Sequence, residues 1–423
     1  MEIPNIFGNK TSYTAEKNIS LFNVARPNKV AIDHIMMANK INSLYINKGK
    51  EIIMPTFWIP PLANIEEGLV LNLPERSIYL YKNNEVVAVY PVAIGALGWN
   101  TPTGSYSLAV KQKNPTWFPP SWANVSHPVY PGPNNPLGDR WMGLSRNGYG
   151  IHGTNNPQSI GLAASHGCIR MYTENARELF EQVAVGMPIK IIYESIKVGF
   201  NPDTGKFYIS VFPDIYSYGT NSLAQAKSKL AKLGLDKITD EKKILTALRE
   251  KRGIPVELIG SDYKIQIGNE ETKTHLAPIV KNNEILVEAQ VLENLGFDIT
   301  YDEENKELTI DRGFNRMTVK LNSDIAYFNG KGLKFNAATS KAGSSVVIPL
   351  TIVNYFGYNI EKDKDKPLLA ITVNPAHNPI WAMESEAYKR FTAQNGTDTL
   401  LFKKNQEKEN ENINKKELDK ILD

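Results

Sequence analysis

The sequence predicts a multidomain chain. It has a small βααβ module with its linker (1–62), a mainly-β domain (63–195) with a helical extension (196–262), and an α+β domain of two repeats (263–375) before a partly disordered tail (376–423). Three observations predict this. The 423 residues exceed what one hydrophobic core usually organises, so the chain divides. Its middle alternates β-branched and aromatic runs with Asn, Pro and Gly turns, the pattern of strands. Finally, "ILVEAQVLENLGFDI" (Ile285 to Ile299) aligns with "VVIPLTIVNYFGYNI" (Val346 to Ile360) at an offset of 61, matching Gly296 with Gly357.

Each element has a local cause. In "SYTAEKNISLFNVARPNKVAIDHIMMANKINSLYINKGKEIIMP", residues 12 to 55, Ser20 is placed to cap a first helix that Pro27 stops. Val30 to Lys40 carries apolar residues at helical spacing, and a short strand lies on either side of the helix pair. "TFWIPPLAN" (Thr56 to Asn64) is a Pro-containing connector, and strands begin near residue 66. Ser77 to Lys82, Asn83-Asn84 and Glu85 to Ile94 predict a hairpin around an Asn turn. Seven prolines between Pro115 and Pro136, with Trp117 and Trp122 among them, predict a long ordered loop, either a lid or binding wall or a cover with aromatic plugs. "TENARELFEQVAVG" predicts a helix capped by Thr173 with Gly186 beyond its end, and the strand "MPIKIIYE" follows. "SLAQAKSKLAKLG" and "DEKKILTALREKRG" predict two more helices, each ended by Gly, as an appendage. In each repeat a strand, a Gly-ended helix and a further strand or hairpin follow one another, with the helices of both copies on a shared sheet.

Composition narrows the function. Hydrophobic content of 42% and charged content of 22% are those of an ordinary globular protein. A net charge of +3, with no Lys/Arg cluster interleaved with aromatic residues, makes nucleic acid an unexpected partner. No run reaches the roughly 18 to 20 apolar residues of a membrane span. The start "MEIPNIFGNKTSY" lacks a basic region followed by an apolar one, so either the chain is not exported or its signal is absent here. A single cysteine excludes an internal disulfide and every zinc site built on paired cysteines.

Cys168 is therefore a buried small residue or a reactive one, and its neighbours favour reactivity. A thiol attacks a carbonyl as thiolate and needs a base or a depressed pKa, while the oxyanion it creates needs donors. In "SHGC", Gly167 permits a sharp turn that aims the amides of Gly167 and Cys168 at one spot. In "IHGTNNP", His152 sits at a strand end before a turn that a β-rich fold can bring beside Cys168. One imidazole nitrogen then takes the thiol proton while a carbonyl or hydroxyl orients the other.

The stretch Gly150 to Met171 resembles the motif of the YkuD-type L,D-transpeptidases, a His-Gly-Thr turn followed by Ser-His-Gly-Cys. "TPTGSY" (Thr101 to Tyr106), "KNPTWFPP" (Lys113 to Pro120) and "PGPNNPLGDRWMGL" (Pro131 to Leu144) extend it over roughly residues 66 to 258. The resemblance implies Cys168 as nucleophile and His152 as general base with its second nitrogen on the carbonyl of Gly153. It implies that His166, Gly167 and Cys168 line an oxyanion hole, with His166 a second candidate base. Ser165 and Arg170 would brace the loop or contact a substrate carboxylate, or Arg170 would pair with a structural acid. His34, His127, His275 and His377 sit in unrelated contexts, and no metal or cofactor is implied.

The implied reaction is acyl transfer between peptidoglycan stem peptides through a Cys168 thioester, with release of D-alanine. Water as acceptor would make the same site a carboxypeptidase, and a wall-binding protein without catalysis is the third reading. β-Lactams of the carbapenem type are implied as inhibitors. The N-terminal module resembles a LysM unit at "YT", "SLFNVA", "ANKI" and "GKEIIMP", which implies a glycan partner. The repeat region resembles the structural domain at the N-terminus of copper amine oxidases and in bacterial stalk proteins. Such a substrate implies an extracytoplasmic, cell-wall location, with spore association as the alternative.

Overall fold

A computed structural model describes residues 3–62, 64–123 and 125–374. The tail expected to be partly disordered, His377 included, lies outside the described residues. The chain separates into two compact units. One holds the segments up to Asn201, Phe207–Leu230 and Glu241–Leu258, and the other holds Pro202–Lys206, Ala231–Asp240 and the segment from Ile259 onward.

Within the first unit, the module follows its sequence. Strands Thr11–Thr14 and Glu51–Met54 pair antiparallel, and helices Leu21–Ala25 and Ile32–Asn39 lie between them in the chain. Ser20 Oγ accepts from Phe22 N at 3.3 Å, the expected cap. Leu21, Val24, Ile35, Ile46 and Ile52 fill a small core. The module shares its unit with the mainly-β domain and is tied to it by charge and shape. Arg26 donates twice to Glu174, at 2.7 and 2.9 Å, and Arg76 donates to Asp33 at 2.5 Å. A Cβ on Gly161 would stand 2.5 Å from that of Ala31, so only glycine allows this approach.

The mainly-β domain is a sheet of nine strands: Gly68–Asn72 (β1), Ser77–Lys82 (β2), Glu85–Gly95 (β3), Gly104–Lys113 (β4), Arg140–Leu144 (β5), Gly150–His152 (β6), Ala163–Ser165 (β7), Ile169–Met171 (β8) and Pro188–Ile192 (β9). Their order is β7-β3-β8-β6-β5-β4-β9-β1-β2, and β2 also pairs with β3, so eight strands close on themselves. The hairpin β2–β3 turns at Asn83 and Asn84, both left-handed with φ of 54° and 63°, as an Asn-Asn turn allows. Inside lie Leu69, Leu71, Ile78, Leu80, Val92, Ile94, Ile151 and Ile169, covered by Leu179 and Phe180 of the helix Thr173–Gln182.

The helix differs from expectation at its start. The cap position is Tyr172, without a side-chain cap bond, and Thr173 is already helical. Its hydroxyl is spent elsewhere, because Thr173 Oγ1 donates to Thr154 O at 3.2 Å and ties the helix to the turn after His152. The loop of seven prolines is mostly irregular, as expected. One bridge pairs Trp117 with Val129, and buried Asn135 donates to the carbonyls of Pro115, Val129 and Tyr130. Helices Leu223–Lys232 and Glu241–Glu250 form where expected, with Gly234 and Gly253 left-handed beyond them.

In the second unit each repeat places a strand, Glu284–Glu288 or Ser345–Pro349, before a helix ended by Gly296 or Gly357 in the left-handed region. The two strands pair antiparallel in one sheet, the shared sheet expected. The helices, Ala289–Leu295 and Leu350–Phe356, are 3-10 rather than α, a form that short segments of about two turns adopt. Among the described residues no helix is long and apolar enough to cross a membrane.

Candidate active site

Register brings the sequence motifs together. β6 and β8 run parallel, with Ile151 opposite Ile169 and His152 opposite Arg170. Ile151 and Ile169 are fully buried in the core. Side chains alternate along a strand, so His152, Cys168 and Arg170 share the opposite face. Sixteen residues of sequence separate His152 from Cys168, and one parallel pairing removes that separation. Gly150 is glycine for a reason on that face: the Trp141 indole lies across it, and a Cβ there would stand 2.5 Å from the ring. The same indole lies 5.7 Å from the His152 ring, centroid to centroid.

His152 is 4% exposed. Its Nδ1 lies 2.6 Å from Gly153 O, and because a carbonyl only accepts, Nδ1 is the protonated nitrogen and Nε2 the free base. The Gly153 carbonyl is held in turn by its surroundings: Gly138, left-handed at φ 63°, packs so close that a Cβ on it would stand 2.9 Å from Gly153 Cα. Burial pushes His152 down to about 4, with the Gly153 bond opposing this and Arg170 adding to it. Burial pushes the Cys168 thiol up, against a backbone contact at Gly150 and the charge of Arg170. At neutral pH the resting pair is therefore a neutral imidazole and a neutral thiol, not an ion pair. The thiol is half-buried and donates to Gly148 O at 3.4 Å.

The loop between β7 and β8 is braced by Ser165. Its hydroxyl donates to Cys168 O at 2.5 Å and accepts from Gly167 N at 3.1 Å. This alters the expected pair of oxyanion donors, since the Gly167 amide is already committed to Ser165. The Cys168 amide has no acceptor among the described residues. Gly167 adopts φ 107°, which lets the chain double back past the Tyr149 ring.

The His166 ring lies in an aromatic stack. It faces Trp122 at 3.8 Å and 14°, and it meets Trp99 edge-on at 4.8 Å. Trp122 comes from the Pro-rich loop, so that loop reaches the site through an aromatic face. Arg170 is partly buried, and burial lowers it. It has no acidic partner among the described residues, so the pairing with a structural acid considered from sequence is not found there. Sequence reading noted "TPTGSY" and the two tryptophans of the loop but assigned no site role to Thr101, Trp99, Trp122 or Trp141. The contacts that involve them span up to 115 residues of chain, and no local pattern announces them.

Comparison with known proteins finds similar domains. The L,D-transpeptidase catalytic domain model matches residues 66–191, and the copper amine oxidase N-terminal domain model matches 266–371. "Probable L,D-transpeptidase YbiS" of Escherichia coli (strain K12) is 35% identical over 195 residues, 43% of this chain and 63% of that protein. "Putative L,D-transpeptidase YkuD" of Bacillus subtilis (strain 168) is 30% identical over 180 residues, 43% of this chain and 98% of that protein. Among solved structures, the catalytic domain from an E. faecium L,D-transpeptidase aligns at a TM-score of 0.25 and 23% identity, over 31% of this chain and 100% of that one. With all but a fiftieth of the B. subtilis protein covered, this chain belongs to the YkuD-type L,D-transpeptidase family.

Proposed function

We propose that this chain cross-links peptidoglycan stem peptides by acyl transfer through a thioester on Cys168. The observation that carries the reading is the fixed tautomer of His152, whose Nε2 is free to take a proton on the face it shares with Cys168. Because the resting thiol is neutral, proton transfer accompanies attack. Nε2 takes the thiol proton while sulfur bonds to the carbonyl carbon between the third stem residue and the terminal D-alanine. The carbonyl electron pair moves onto oxygen, facing the Cys168 amide. Collapse breaks the C–N bond, the imidazolium returns its proton to the leaving amine, and D-alanine departs. A side-chain amine of a second stem then attacks the thioester and gives a proton to His152. The C–S bond breaks, and the sulfur takes that proton back.

Arg170 is the group we assign to a stem carboxylate, on the strength of its partial burial without an acidic partner among the described residues. The module at 1–62 is assigned to glycan, which raises the local concentration of stems around Cys168. Such a substrate places the working enzyme outside the cytoplasmic membrane, at the wall.

Intact mass after incubation with a carbapenem tests the chemistry. A single adduct is expected on the wild type, none on Cys168→Ala, and slow formation on His152→Ala. Stem tetrapeptide with and without an added amine acceptor then separates cross-linking from hydrolysis by the mass of the product. A folded, reduced wild type that stays unmodified refutes the enzymatic reading.

A further inference from the structure

Behind the catalytic loop lies a hydrogen-bonded ring that the reaction as derived does not use. Thr101 is 2% exposed. Its Oγ1 donates to Gly167 O at 2.8 Å and accepts from Gly95 N at 2.9 Å. Its amide donates to the Tyr216 hydroxyl at 3.2 Å, and that hydroxyl donates to Gly95 O at 2.8 Å. Gly95 permits this closeness, because a Cβ there would stand 1.9 Å from Trp99 O. Tyr216 is itself held, since its amide donates to the Tyr193 hydroxyl at 2.8 Å and that hydroxyl donates to Asp214 at 2.5 Å. Asp214 also accepts from the amides of Tyr218, Gly219 and Thr220, which fixes the turn that carries Tyr216.

One of these bonds lands on the peptide that matters. The carbonyl of Gly167 and the amide of Cys168 belong to a single peptide group, and all described peptides are trans. In a trans peptide the C=O and N–H point in opposite directions. A hydroxyl that holds the Gly167 carbonyl from behind therefore aims the Cys168 N–H forward, away from Thr101. Ser165 fixes the same segment through Gly167 N and Cys168 O, but neither of those bonds sets this peptide plane.

We propose that Thr101, supported by Tyr216, is a positioning residue that orients the Cys168 amide as the oxyanion donor. This rests on the acyl-transfer reading. It also gives the helical extension 196–262 a part in the site through Tyr216.

Two reactions of Cys168 separate this role from a general one. Acylation by a carbapenem passes through a tetrahedral oxyanion, whereas alkylation by iodoacetamide displaces iodide at a saturated carbon and forms none. Thr101→Val keeps the shape and removes the hydroxyl. It is expected to slow acylation by roughly a hundredfold, the effect of losing one oxyanion donor. Its alkylation rate across pH should stay that of the wild type. Thr101→Ser should restore most of the acylation rate. Tyr216→Phe, which leaves Thr101 in place, should produce a smaller loss in acylation alone. Equal acylation by Thr101→Val and wild type overturns the proposal, as does a matching fall in both reactions, which would mark a structural role. A wild type that is alkylated but never acylated overturns the acyl-transfer reading itself.

Discussion

Replacing Gly167 with alanine tests how closely the loop before Cys168 is determined. Gly167 sits at φ 107°, where an L side chain is strained by roughly 1–3 kcal/mol. The new Cβ would also stand 2.7 Å from Tyr149 Cε1, with the next ring atoms at 3.5 and 3.6 Å. To reach ordinary contact the ring must move by about 0.8 Å, given that carbon atoms settle near 3.5 Å. Tyr149 packs against the domain core, and the Arg146 guanidinium lies 5.3 Å from its ring centroid, so the shift is opposed on more than one side. Overpacking of this kind costs roughly 1–3 kcal/mol, which puts the whole substitution at about 2–6 kcal/mol if the loop holds its shape. If the loop yields instead, the bond from Gly167 N to Ser165 is lost and the Cys168 amide turns with it. The first route costs stability and the second costs function. Urea unfolding gives the first quantity, and carbapenem acylation followed by intact mass gives the second. A Gly167→Ala protein within about 0.5 kcal/mol of wild type, the spread of an ordinary surface substitution, and acylated at the wild-type rate refutes the account of this loop.

Two further outcomes follow from buried charge. Burial, with the charge of Arg76 added, pushes His34 down to about 4, as burial also does for His152, so each takes its proton later in the folded state than in the unfolded one. Their stabilisation is complete above about pH 6.5 and is lost as pH falls toward 4, by about 2 kcal/mol each at pH 5. The urea midpoint at pH 5 should lie well below that at pH 7.5, and His34→Gln should flatten the dependence; equal midpoints refute it. The second concerns Lys197 and Glu75, 2% and 1% exposed, which pair at 2.6 Å with Tyr79 bonded to both. Lys197→Met should cost roughly 3–5 kcal/mol by stranding the carboxylate, and Lys197→Met with Glu75→Leu should recover most of it in thermal unfolding. A double variant no better than the single one contradicts this.

Residues whose cause is local could be read in the chain itself. Ser20 caps because its own hydroxyl reaches an amide two residues on. Asn83 and Asn84 turn because they tolerate left-handed backbone, and Gly296 and Gly357 end their helices for the same reason. Cys168 and His152 could be singled out because the chain's one thiol follows His166 and Gly167 and lies sixteen residues after the His-Gly-Thr turn at His152. Thr173 does not cap its helix because its hydroxyl is engaged by Thr154, nineteen residues back, accepting from the Thr154 amide at 3.4 Å and donating to the Thr154 carbonyl at 3.2 Å.

What the sequence determined by itself, then, was the set of elements, which rest on interactions a few residues long, and the residue types of the candidate pair His152 and Cys168. The tertiary structure alone decided their arrangement. The parallel register of β6 on β8 puts His152 and Cys168 on one face. The Gly167 amide is claimed by Ser165, the His166 ring is stacked on Trp122, and Thr101 holds the peptide behind Cys168 with a tyrosine 115 residues away. Each of these is a contact between distant segments, and a hydrogen bond or a ring face selects its partner only after closure of the sheet has brought the candidates within reach.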